Sequence, residues 1–280
     1  MIKMLPILFL FIISHASYSQ TEQRSREFDW NDKYIIQVEL KESQLASFMS
    51  SIDITVQEKT SNNIVLELQE DGMAPDFFIK TIGSQKIFFY STHSGGESGG
   101  TTILKYLTIR DGKVLNETLD ESPASFEFID VDQNGTEEII TKDTRFQWFE
   151  VEKDCHLIGF YTEYLDSLNY FFPKIFEFQE DQFIETTFKF KNYLTNKYLL
   201  PLEKTLTENE PEKNHIVGFI QYFYVSSQFN LTDHALIFIK KHNKPFQYYH
   251  CQNSKTVETT VLDFIKKYQN QILITEESNI

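Results

Sequence analysis

The chain has 280 residues and a net charge of −15, with 41% hydrophobic and 15% aromatic residues. That apolar content can offset the ordering entropy of a folded chain, so global disorder is excluded, and the length suits one large domain or two modest ones. An acidic surface repels phosphate backbones and anionic lipid, which argues against nucleic acid or a membrane surface as partner and leaves cations or a basic protein compatible.

Met1–Ser19 reads as a cleavable secretory signal peptide. Lys3 supplies the positive amino end, Met4–Ile13 (MLPILFLFII) the apolar run, and Ser17 and Ser19 the small residues before a cut at Gln20. A spanning helix needs about twenty apolar residues, roughly twice this run, so an anchor is disfavoured. Cysteine is absent near the cut, which excludes a lipid-modified amino end. The expectation is an exported chain, periplasmic or extracellular, with no membrane insertion after cleavage. Cys155 and Cys251 are the only cysteines. In an oxidising compartment they pair, or they stay as two separate thiols; two cysteines are no disulfide framework.

After a polar leader, Thr21–Arg26, the pattern is strand-like from Phe28 to about Phe190. Tyr34–Leu40, Ile52–Val56, Ile64–Leu68 and Lys86–Ser91 are β-branched, aromatic and often alternating. Turns are expected at Ser61-Asn62-Asn63, at Glu70-Asp71-Gly72 and at Asp111-Gly112, the last a hairpin signal. Lys86–Leu119 and Phe126–Phe188 echo each other as strand-rich units whose closing hairpins turn at Arg110–Gly112 and Glu180–Asp181. Two such units suggest blade-like sheets packed face to face, although two do not close a propeller.

From about Lys191 the texture turns helical. Pro211 suits a first helical turn before NHIVGFIQYFYV, whose apolar residues cover most faces. Thr232 and Asp233 suit a cap for ALIFIKK, and Lys240 and Lys241 suit its carboxyl end. Ser254 is the expected cap of a last helix, with Val257, Val261, Ile265 and Tyr268 as one apolar stripe. The expected plan is α+β: a signal peptide (1–19), a mainly antiparallel β-rich domain of blade-like hairpin units (20–190) and a helical carboxyl-terminal section (191–280), without a Pro/Ser-rich linker.

The motif that carries chemistry is Asp130-Val131-Asp132-Gln133-Asn134-Gly135-Thr136-Glu137-Glu138. Oxygen side chains fall at positions 1, 3, 5 and 9, and Gly135 at position 6 permits the sharp bend. A hard cation such as Ca²⁺ takes six to eight oxygens, and the Thr136 carbonyl would add one. An EF-hand needs a bidentate Glu at position 12 between two helices. Here that position is Thr141, and the flanks are strand-like. The loop resembles instead the strand–loop–strand calcium hairpin of integrin-type and FG-GAP repeats, D-x-[DN]-x-[DN]-G-x-x-[DE]. That resemblance implies Asp130, Asp132, Asn134 and Glu138 as side-chain ligands, with Thr136 through its carbonyl. A solvated turn rich in Asp, Asn and Gly is the alternative.

The resemblance extends over roughly Lys80–Phe190 to a group of exported bacterial proteins. They share a strand leading to a Gly-Gly turn, the Asp-rich hairpin, D-x-R-F (Asp143–Phe146) and P-x-I-x-x-F (Pro173–Phe178). Ser98-Gly99-Gly100 stand where that group often carries a Cys pair. Some calcium-loop proteins of this kind are periplasmic immunity proteins against lysozyme-like hydrolases, although no inhibitory loop aligns here.

Other signals are weaker. Gly96–Gly100 fits G-x-S-x-G, but the strand pattern after it does not make a nucleophile elbow around Ser98, and His93 is too close for a triad base. Cys155–His156 and His250–Cys251 would form a metal set only if both pairs converged, which tandem neighbours on a strand oppose. The expectation is a calcium-stabilised, non-catalytic exported binding protein with a protein or glycan ligand. The alternative is an inhibitor or immunity protein against a lysozyme-like cell-wall hydrolase.

Overall fold

A computed structural model describes residues 25–43, 45, 49–93, 102–121, 123–143, 146, 150–152, 155–156, 171–207, 215–250 and 255–274. The proposed signal segment, the Gly-rich turn with Ser98, Thr144, Arg145, Pro211, Cys251 and Ser254 lie outside them, as do the side chains of Cys155, His156 and His250. The expected α+β class is found: antiparallel strands dominate and helices follow.

Seven strands form one meander in sequence order: β1 (Ser25–Asp29), β2 (Tyr34–Glu42), β3 (Ser50–Glu58), β4 (Ile64–Ile82), β5 (Gln85–His93), β6 (Thr102–Arg110) and β7 (Lys113–Asp120). β8 (Pro123–Ile129) and β9 (Glu138–Asp143) open a second sheet. Past the short pair β10 (Glu150–Glu152) and β11 (Cys155–His156), β12 (Phe172–Gln179) and β13 (Gln182–Glu185) complete it in the order β13-β12-β9-β8. The hairpin turns form where expected. Asp111 and Gly112 take φ of 52° and 73°, and Glu180 and Asp181 take 50° and 63°, the left-handed pairs whose twist matches that of the flanking strands. Asn62, at φ 57°, turns β3 into β4.

Glu70-Asp71-Gly72 is not a turn. β4 runs straight through it, with Ser50, Ser51 and Ile52 paired to Gly72, Asp71 and Glu70. The glycine is needed for close approach: a Cβ on Gly72 would lie 2.5 Å from the Thr92 Cβ. Beside it the β4–β5 register shifts between Met73 and Asp76, with Ala74 at φ 41°. The first half of β4 therefore pairs with β3 and the second half with β5.

Alternation along the strands stacks the molecule in layers. On β5, Phe88 and Tyr90 join a core with Ile36, Val38, Ile52 and Ile54 of β2 and β3, under Trp30. The Trp30 Nε1–H donates to the Lys86 carbonyl at 2.6 Å. On the opposite face Ile87 and Phe89 join Ile139 of β9 and Phe176 of β12 in a second core. Rings from both sheets interlock there: Phe89 lies 5.4 Å from Phe128, and Tyr106 lies 4.9 Å from Phe183. The two echoing units thus meet face to face. The far side of the second sheet, with Ile140 and Ile175, packs on the helices in a third core.

Helical structure begins at Thr187–Phe190 as a 3-10 turn and continues through Lys191–Tyr193 and a π segment, Leu194–Leu199, into α1 (Leu200–Thr207). α2 (Ile216–Gln228) is the central helix and is buried from Ile216 to Ser226, as its all-round apolarity requires. α3 (Thr232–Lys241) starts one residue earlier than a Thr232 cap implies. Leu231 is the capping position, and Thr232 and Asp233 lie in the first turn. The last helix, by contrast, starts later than expected. Lys255–Thr260 is a strand (β15) paired with β14 (Pro245–His250), and α4 (Val261–Ile274) starts only at Val261. Thr260 caps it: its Oγ1 accepts the Asp263 N–H at 3.2 Å and donates to the Asp263 carboxylate at 2.8 Å. Val257 therefore belongs to a β-ribbon, while Val261, Ile265 and Tyr268 remain one buried stripe. Among the described residues, no helix is long and apolar enough to cross a membrane.

Candidate metal centre

β8 ends at Ile129 and β9 begins at Glu138, and these two residues are register partners. The eight residues between the strands must reverse the chain within one ladder rung. They do so by folding their own side chains onto backbone donors, as Asp and Asn favour in turns. The Asp130 carboxylate accepts from Asn134 N–H at 3.0 Å and Gly135 N–H at 2.9 Å. Asp132 accepts from Asn134 N–H at 3.2 Å, and Asn134 Oδ1 accepts from Thr136 N–H at 2.7 Å. Gln133 and Gly135 take left-handed φ of 61° and 89°. Across the base, Glu138 Oε2 accepts the Val131 N–H at 2.7 Å.

This folding gathers carboxylates. One oxygen each from Asp130, Asp132 and Glu138 lies within 4.8 Å of the other two. Asp130 is half-buried, Asp132 and Asn134 are exposed, Thr136 is half-buried, and Glu138 is only 2% exposed. Burial pushes the Glu138 carboxyl above the ordinary range, and the Asp132 and Asp130 charges push the same way against the Val131 hydrogen bond. Thr141, at the position where an EF-hand needs its Glu, is buried on β9 and donates to Asp120 at 2.5 Å.

Two neighbours escaped the sequence reading. The register that pairs Phe176 with Ile139 puts Glu177 one step on, opposite Glu138 and on the same face as Ile175 and Ile140. Glu177 is 8% exposed; Lys189 pairs with its Oε1, and its buried Oε2 has no hydrogen-bond partner. Lys189 is held strongly protonated, first by Glu177 and further by Asp132 and Glu138. The only local hint was a Glu inside the apolar run KIFEF. Next to the loop in sequence, Glu137 pairs with Lys80 at 2.6 Å, and the Lys80 ammonium lies 4.7 Å from the Phe128 ring centroid. Between the loop and Lys189–Tyr193 runs a groove of about 390 Å³.

A second buried ionic group lies between the sheets. Lys174 Nζ stands 2.9 Å from Asp143 and 3.2 Å from Asp120, and both aspartates are 2% exposed at their side chains. Asp120 ends β7 while Asp143 and Lys174 lie on β9 and β12, so this group ties the first sheet to the second. No family model, no curated protein and no solved structure matches the chain.

Proposed function

We propose that the chain is an exported, calcium-stabilised, non-catalytic binding protein. The observation that carries this reading is the convergence of Asp130, Asp132 and Glu138 at the junction of two strands, with Glu138 buried. Three carboxylates this close repel one another, and a divalent cation is the counter-charge that turns repulsion into cohesion. The unpartnered Oε2 of Glu177 opposite supports the same reading, because buried negative charge here exceeds what Lys189 alone offsets. Asp130, Asp132, Asn134 and Glu138 would bind through side chains and Thr136 through its carbonyl, in the strand–loop–strand manner of FG-GAP-type hairpins.

Calorimetric titration of the protein without its signal segment tests this, with Asp130→Ala as control. Heat and a melting shift with Ca²⁺ in the wild type, both lost in the variant, are expected; neither in the wild type refutes the reading. A second reading, inhibition of a cationic cell-wall hydrolase, is favoured by the first half of β4. There Ile64, Val65 and Glu67 are exposed on a strand paired only with β3 among the described residues. Such an acidic, partly apolar edge suits a basic partner. Lysozyme-type assays across several hydrolase classes test it, and activity unchanged by excess protein counts against it.

A further inference from the structure

We propose that the open edge of β4 docks an extended strand of a basic protein, one whose side chains alternate between cationic and apolar. This rests on the basic partner of the second reading and names the form in which that partner is recognised; the loop cation plays no part in it. Alternation along paired strands decides which side chains share a face. Ile36, Val38, Ile52 and Ile54 enter the first core, so their neighbours in the chain form the opposite, outer face of the sheet. The register sets Glu27, Gln37, Thr55 and Glu67 in one row across that face. The next row is Ser25, Glu39, Asp53 and Gln69, and Lys41, Ser51 and Asp71 follow.

The carboxylates in these rows outnumber their counter-charges. Lys41 pairs with Asp53 at 2.6 Å and with Glu39 at 3.1 Å. Glu27, Glu67 and Asp71 are exposed and have no ion-pair partner among the described residues. Two of these three lie on β4, beside an edge that no other strand covers. β4 pairs with β3 between Ile64 and Gly72 but meets β5 only from Met73 onward. Residues 64–70 therefore carry no strand on the side away from β3 among the described residues. On the inner face of that stretch Leu66 and Leu68 are only half-buried, at the rim of the first core. A strand added to the edge would cover both leucines with every second side chain and bring the others within about 5 Å of Glu67 on the outer face. The two faces make opposite demands, so the recognised strand alternates apolar residues with lysine or arginine. A second copy of the chain is disfavoured, because it would set Glu67 and Asp71 against further carboxylates.

Calorimetry with two synthetic peptides of equal composition tests this at about 0.1 M salt, where long-range attraction is screened. One alternates lysine and valine over about seven residues, and the other groups its lysines at one end. The alternating peptide should bind about tenfold more tightly than the grouped one, equally in Ca²⁺ and in EDTA. Glu67→Lys combined with Asp71→Lys should weaken it about tenfold while leaving the melting temperature unchanged, since both side chains are exposed. Amide exchange at residues 64–70 should slow when the peptide binds. Absence of binding, equal binding of the two peptides, binding untouched by the charge reversals, or protection elsewhere on the chain would each overturn the proposal. Peptide binding at β4 without inhibition of any hydrolase keeps the edge proposal and removes the hydrolase. Inhibition that survives both charge reversals keeps the hydrolase and overturns the edge proposal.

Discussion

Glu138→Gln separates a metal ligand from a buried acid that merely bonds to the backbone. The substitution keeps the shape and one carbonyl oxygen, so the 2.7 Å bond from Val131 N–H can persist. It removes one of three carboxylates that crowd within 4.8 Å, at the member that is 2% exposed. Without a cation that charge is a cost, because burial and the two aspartates both oppose it. In EDTA the variant should therefore melt at the same temperature as the wild type or a few degrees higher. In Ca²⁺ the order should reverse. A ligand at a hundred times its Kd stabilises a fold by about 2.7 kcal/mol, and for a chain of this size each kcal/mol is worth about 2–4 °C, so the wild type should gain roughly 5–10 °C. The variant, lacking a buried ligand, should gain less than about a third of that. Differential scanning fluorimetry with EDTA and Ca²⁺ arms reads both signs in one plate. Equal Ca²⁺ shifts in the two proteins, or a variant several degrees less stable in EDTA, would refute the reasoning.

Gly72→Ala should destabilise the fold by about 1–3 kcal/mol, because its Cβ meets the Thr92 Cβ at 2.5 Å inside a bulged strand. Urea unfolding checks this, and a midpoint shift under a third of that size would show that the strands part freely. Lys174→Met removes the ammonium that Asp143 and Asp120 share and should cost about 3–5 kcal/mol at neutral pH. Adding Asp120→Asn and Asp143→Asn should recover part of the loss, and no recovery would place the cost in packing rather than charge. Tyr90, Tyr106 and Tyr222 are held above the ordinary phenol range, first by burial and then by the carboxylates of Glu70, Glu117 and Glu203. A phenol whose folded value is raised contributes stability that is full below about pH 10 and is lost as pH rises beyond it. Ultraviolet titration should thus show a group of tyrosines ionising only together with loss of the native circular dichroism. All 14 tyrosines titrating near pH 10 in a native protein would contradict this.

The parts of the fold that could be read from the sequence are those in which neighbours in the chain decide the outcome. Asp111-Gly112 is a turn because few other pairs accept two left-handed residues in a row, and Glu180–Asp181 takes the same conformation between two strands that pair up to its edge. The Asp130–Glu138 loop was legible for the same reason: its oxygens are contiguous, and the backbone bonds that shape it span at most seven residues. Gly72 was misread because glycine serves a turn and a close approach equally well, and only the position of Thr92 across the ladder distinguishes them. Val257 was misread as helical because the stripe through Val261, Ile265 and Tyr268 extends back to it at helical spacing. The pairing of Lys255–Thr260 with Pro245–His250 overrides that period.

Glu177 and Lys189 belong to neither kind of local signal. Their relation to Glu138 depends on strand register across a long insertion, and the parity of the strand decides everything. With Phe176 opposite Ile139, Glu177 shares a face with Glu138, and Phe176 enters the core between the two sheets. A slip of one residue would turn Glu177 into that aromatic core and Phe176 toward the acidic loop, exchanging a buried charge for a buried ring on both faces. The aromatic rings of the inter-sheet core therefore hold more than stability. By fixing the parity of β12 they keep the second buried carboxylate, and the lysine that answers it, beside the loop rather than on the far side of the sheet.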